Sequence, residues 1–239
     1  MERDSLMDRL NLYAVGDCNT GGADALPKGE SLPDQLAAIL ESSGVNVNMT
    51  NLGLTMTTTR EGVTKVNNDV HAPDFLLINF GLVDAWITAI PQCYVLYYPD
   101  NGVRKFSRKV LKMVKKVLRN PTLNKMVRRG EVVPAEEYVD NFRQMIRIVR
   151  SRNPNVKILL WGTTLSTDNP QRNENIRRYN KLLDSLAQEE DVLYLDIENI
   201  VTTMDTEDSY LDNVHLSGAC FARIADKMLP LLTGDQPKR

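Results

Sequence analysis

Five short apolar runs, separated by segments whose apolar residues recur at helical spacing, limit this chain to one kind of architecture. The runs lie at 11–15 (NLYAV), 45–50, 75–80 (FLLINF), 156–161 (VKILLW) and 192–197 (VLYLDI). FLLINF is the strongest of them, as befits a strand covered on both faces. Ser31-Leu32-Pro33-Asp34 carries helix-start chemistry, Leu36, Ile39 and Leu40 share a face, and Gly44 is the stop. Pro134 opens a second helix with Val139, Phe142, Ile146 and Val149 in register, closed by Asn153-Pro154. Ile176, Tyr179, Leu183, Leu186 and Ala187 mark a third, and Ser217 is the N-cap of a last helix that buries Cys220, Phe221, Ile224 and Met228. No repeat, low-complexity tract or linker interrupts the pattern. It predicts a single α/β domain over 1–239, a three-layer α/β/α sandwich around a five-stranded parallel sheet. Sites in such sheets lie at the carboxyl ends of the strands.

With 239 residues, 42% hydrophobic and 25% charged, the composition excludes collagen-like, disordered and disulfide-scaffold classes. Cys18, Cys93 and Cys220 are odd in number and widely spaced, which argues against a disulfide framework or a zinc knuckle. The first residues are charged where a signal peptide needs an apolar core, and no apolar run approaches membrane-spanning length. A reduced, cytoplasmic protein without transmembrane segment is the expectation.

The formal charge of −2 hides a strong asymmetry: residues 101–130 hold eleven Lys or Arg and no acid, so the remainder is net −13. Within this stretch Val103, Phe106, Val110, Met113, Val114, Val117 and Leu118 recur at intervals of three and four. That spacing predicts an amphipathic helix over 104–119 with a cationic face, inserted after the third strand and stopped by Asn120-Pro121. Arg104, Lys105, Arg108, Lys109 and Lys112 are its candidate docking residues. Their partner is an acidic carrier protein, an anionic saccharide or an anionic membrane; the bland alternative is a solvated helix that pairs with the acidic remainder. Nucleic acid is not expected, because no binding motif accompanies the charge.

Three segments fall at strand ends or near the C-terminus: Gly16-Asp17-Cys18, Gly81-Leu82-Val83-Asp84 and Asp212-Asn213-Val214-His215. A thiol at a strand-to-helix turn has its pKa lowered by helix-terminal amides and a nearby imidazole. An acid three residues before a histidine orients the ring and leaves its other nitrogen to take a proton. Together these outline a Cys18-His215-Asp212 relay.

This set of motifs resembles the SGNH hydrolases, also called GDSL esterases and lipases. The resemblance spans about 11–233 and implies a flavodoxin-like fold, with acyl-ester hydrolase or acyltransferase activity and no metal or organic cofactor. Cys18 stands where the family has its serine, Asn51-Leu52-Gly53 matches the block that gives an oxyanion-hole glycine, and Asp212 and His215 match the family's Asp-x-x-His. In the remaining block, Gly-x-Asn-Asp, Val83 replaces the asparagine that donates to the oxyanion. The hole is then formed by the backbone amides of Cys18 and Gly53, or a side chain such as Asn19, Asn51 or Asn79 reaches in. Asp17 and Asp84 are expected to support the site loops. A cysteine favours thioesters and acyl transfer. It is either the natural nucleophile or an engineered Ser→Cys trap, and a catalytically retired protein that binds an acylated or anionic ligand is the alternative from another class.

Overall fold

The computed structural model describes residues 9–118, 120 and 127–234. The first eight residues, and Arg119, Pro121 and Lys125 of the basic stretch, lie outside the described residues.

In chain order the elements are β1 (Leu10–Gly16), α1 (Cys18–Gly21), α2 (Leu32–Ser42), β2 (Val47–Asn51), α3 (Thr59–Asp69) and β3 (Phe75–Asn79). Next come β4 (Ile87–Ala89), α4 (Gly102–Val117), β5 (Arg129–Glu131), α5 (Ala135–Arg152) and β6 (Lys157–Trp161). The chain closes with α6 (Pro170–Glu189), β7 (Leu193–Leu195), α7 (Glu198–Thr202), α8 (Thr206–Ser209) and α9 (Gly218–Thr233). Five strands form one parallel sheet in the order β2-β1-β3-β6-β7. Each overlaps one of the five apolar runs.

Alternate residues of the strands feed two cores, as a pleat requires. Leu76, Ile78, Ile158 and Leu160 pack with Val66 of α3, Phe142 and Met145 of α5, and Tyr179 of α6. Leu12, Leu77, Leu159 and Trp161 pack on the other face with Leu36 and Leu40 of α2 and Phe221, Ile224 and Met228 of α9. The three-layer sandwich of the sequence reading is the observed fold. Because β1 lies between β2 and β3, the chain leaves it on one side and returns on the other, which places a topological switch point at the carboxyl end of β1.

Two features have no counterpart in the apolar pattern. Helix α3 carries little apolar surface, but Thr58 and Glu61 close a capping box at its start, with the Thr58 amide donating to Glu61 Oε2 at 2.9 Å. Its Gly62 lets the helix lie on the Phe80 ring, where a Cβ would approach the ring carbons to 2.6 Å. The other is the antiparallel pair β4–β5, which brackets the basic insertion.

The predicted amphipathic helix forms as α4, capped by the Asn101 side chain, which accepts from the Arg104 amide at 2.9 Å. It contains no buried residue. Of the acidic remainder, Asp100 is the acid that pairs with α4 among the described residues, at 3.0 Å from Lys105 and 2.7 Å from Arg108. Arg104 donates to the Tyr98 carbonyl and Arg108 to those of Leu96 and Tyr97, so these cations hold the preceding loop. Lys109 and Lys112 have no ion-pair partner among the described residues.

Candidate active site

Asp17 follows β1 and caps α1, its carboxylate accepting from the Asn19 amide at 3.0 Å. That cap turns the chain sharply and leaves Cys18 at the switch point, 4% exposed. Gly53 lies against the same turn, where a Cβ would come within 2.2 Å of the Gly21 nitrogen. No larger residue fits there.

Before α9, Asp212 organises its own loop. One carboxylate oxygen accepts from the amides of Val214 and His215, both at 2.8 Å, and the other lies 2.6 Å from His215 Nδ1. Partial burial works against the charge of Asp212, but His215 and the two amides outweigh it and hold the carboxyl below its usual range. Asn19, next to Cys18, joins the two loops. Its carboxamide donates to the Val214 carbonyl at 3.1 Å and accepts from the Leu216 amide at 3.0 Å, so it grips the backbone on both sides of His215.

The other asparagines are committed elsewhere. Asn51 donates to the Thr20 carbonyl at 2.9 Å and accepts from the Gly53 amide at 2.9 Å, so that amide already has a partner. Asn79 donates to the carbonyls of Trp161 and Gly162 at 2.9 and 3.2 Å. With Asn19 bonded as above, each of the three carboxamides donates to a backbone carbonyl. Val83 is buried in the same core cluster as Cys18.

The expected lowering of the thiol pKa is also corrected. Burial, reinforced by the neighbouring Asp17, raises Cys18 well above the ordinary thiol range, although the amides of Cys18 and Asn19 and the charge of Arg172 pull the other way. Desolvation outweighs them.

Arg172, in the first turn of α6, carries no sequence motif, yet it lies within electrostatic reach of the thiol. It donates to the Leu82 carbonyl at 2.8 Å, lies 5.3 Å from the centre of the Trp86 ring, and interacts electrostatically with Cys18, Asp17 and Asp168. Its buried Nε has no hydrogen-bond partner. From Trp86 a cavity of about 750 Å³ extends beneath α4, lined by apolar side chains and by Lys105, Arg108, Lys109, Lys112, Lys115 and Lys116. Among the described residues no group of three or more His, Cys, Asp or Glu side chains forms a metal-binding cluster.

Asp84 accepts from the Thr59 amide at 2.9 Å and the Thr59 hydroxyl at 2.6 Å, which fixes the start of α3 to the loop after β3. Burial raises Asp84 to about 7 and Asp17 to about 6. Both carboxyls bind a proton more tightly folded than unfolded, so stability is greatest below about pH 4 as far as these groups act, and falls as pH rises toward 7. The denaturation midpoint in urea is expected to be lower at pH 8 than at pH 5. Asp84→Asn, which keeps the acceptor for Thr59, should flatten that slope; an unchanged slope would assign it to other groups.

A three-layer α/β/α domain with an acid–imidazole pair held against a strand-to-helix turn is the frame of an α/β acyl hydrolase. The profile of the GDSL-like Lipase/Acylhydrolase family matches residues 14–222, and the chain belongs to that family of hydrolases. Its fold is similar to the lipase/acylhydrolase from Enterococcus faecalis, with a TM-score of 0.65 and 17% identity over 96% of this chain and 99% of that one. An acetylxylan esterase from Geobacillus stearothermophilus matches with a TM-score of 0.62 and 18% identity, covering 93% and 94%. A G-D-S-L lipolytic protein from Veillonella parvula gives 0.61 and 15%, covering 94% and 98%. No curated protein matches by sequence. No helix among the described residues is long and apolar enough to cross a membrane.

Proposed function

We propose that the protein transfers acyl groups from esters or thioesters through Cys18. The thiol sulfur bonds to the acyl carbon as its proton passes to His215 Nε2. The tetrahedral adduct then collapses, and the leaving alcohol or thiol takes that proton. Water or an acceptor hydroxyl, deprotonated by His215, releases the acyl group by the reverse sequence. Asp212 holds Nδ1 and so fixes which nitrogen faces the sulfur. The Cys18 amide and the Arg172 guanidinium face the developing oxyanion; Gly53 joins them only if its amide exchanges the Asn51 oxygen for it.

The observation that carries this reading is the 2.6 Å contact between His215 and Asp212, tied to the Cys18 turn by Asn19. Catalytic mutants of the Geobacillus esterase replace a serine and a histidine; His215 is a histidine here, whereas Cys18 offers a thiol in place of a serine hydroxyl. The buried, neutral thiol favours a second reading, a retired binding protein for an acylated or anionic ligand.

A panel of short-chain esters and thioesters separates the two. Turnover that requires both Cys18 and His215 supports acyl transfer. Tight binding of an acylated ligand without turnover, unaffected by His215→Ala, supports retirement. A stable adduct on Cys18 that gives way to turnover in Cys18→Ser would mark the cysteine as a trap.

A further inference from the structure

Helix α4 presents its apolar side to solvent. Val103 is 78% exposed, Phe106 69%, Met113 63% and Val117 63%, with Val110 and Val114 also open. A periodic apolar stripe ordinarily marks the side of a helix that faces the core. Here Arg104, Ser107, Arg108, Leu111 and Lys115 are the partly covered residues, and Lys115 donates to Thr88 Oγ1 of β4 at 2.7 Å. Six contiguous apolar side chains on one exposed helix form a patch, and such patches mark docking surfaces.

Charge identifies the occupant. The helix carries seven Lys or Arg and no acid, and Lys109, Lys112 and Lys116 are exposed with no ion-pair partner among the described residues. The remainder of the chain is acidic. We propose that α4 docks the protein on an anionic lipid surface, its apolar stripe entering the interfacial region and its lysines meeting the phosphates. Two copies packed through this stripe would set seven basic side chains against another seven, which disfavours a dimer as the occupant. The acidic remainder is repelled by the same surface, so one orientation is selected. That orientation sets the cavity beneath α4 at the lipid headgroups.

This inference does not depend on acyl transfer, because docking is measured without substrate and the Cys18→Ala protein should bind vesicles as tightly as the unaltered chain. The test is co-sedimentation with vesicles of phosphatidylcholine alone and of phosphatidylcholine with roughly a quarter phosphatidylglycerol. Binding to the anionic vesicles, weakened by added salt, is expected. Phe106→Asp with Met113→Asp should weaken it roughly a hundredfold, and Lys109→Glu with Lys112→Glu about fivefold or more for each residue. All four side chains are exposed, and circular dichroism verifies that the variants fold. No binding, equal binding to neutral and anionic vesicles, or binding that neither pair weakens would overturn the proposal. So would a solution dimer that Phe106→Asp with Met113→Asp dissociates, since the stripe would then belong to a second copy.

Discussion

Cys18→Ala is expected to lower kcat/KM at least about a thousandfold on every ester the enzyme accepts, and His215→Ala to cost about as much. The reason lies in the protonation state of the thiol. Burial and Asp17 keep Cys18 neutral, so no standing thiolate is present to attack without a base. In the proposed mechanism sulfur and imidazole act as one unit, and removing the second member after the first should change little. Steady-state rates for both single variants and the double variant form the check. A double loss close to either single loss fits the coupled unit; independent, additive losses would mean that His215 serves some step other than activation of the thiol.

Arg172→Met is expected to lower kcat by a factor of roughly one hundred to one thousand while KM moves little, the size that attends loss of one oxyanion donor. Val83 stands where the family's motif has a donating asparagine, and Asn19, Asn51 and Asn79 are bonded elsewhere. Arg172 is anchored by the Leu82 carbonyl and the Trp86 ring, with a buried Nε left over. In the proposed mechanism a cation in that place acts on charge that develops in the transition state. Arg172→Lys should recover only part of the rate, because an ammonium lacks the planar fork. A rise in KM with kcat unchanged would instead make Arg172 a ground-state contact, and unfolding in urea at the same midpoint separates either outcome from simple destabilisation.

How much of this was legible in the sequence follows from what local pattern encodes. The five central strands were visible because each is an apolar run long enough to carry its own signal. Strands β4 and β5 have three residues each and were not. Helix α3 was missed because Val63 and Val66 are too few to set a period, although the Thr58–Glu61 capping box was there to find. For α4 the period separated apolar from basic residues but could not say which side faces the protein.

The site divides along the same line. Cys18, Asp212 and His215 stand in short motifs, so spacing singles them out as candidates. Arg172 lies in a polar stretch, Asn-Pro-Gln-Arg-Asn, and comes within electrostatic reach of Cys18 only when α6 packs beside the loop after β3. The thiol's pKa was misjudged because sequence shows the helix amides but not the burial that outweighs them. The three asparagines looked available as donors because their carbonyl partners come from distant segments.

Mass spectrometry of the intact protein and its peptides, after incubation with short-chain, long-chain and thioester acyl donors, tests the role of Cys18 most directly. The expected result is a single acyl group on Cys18, formed far more slowly in His215→Ala and absent in Cys18→Ala. Acyl transfer with no modification of Cys18, or turnover that survives Cys18→Ala, would contradict it.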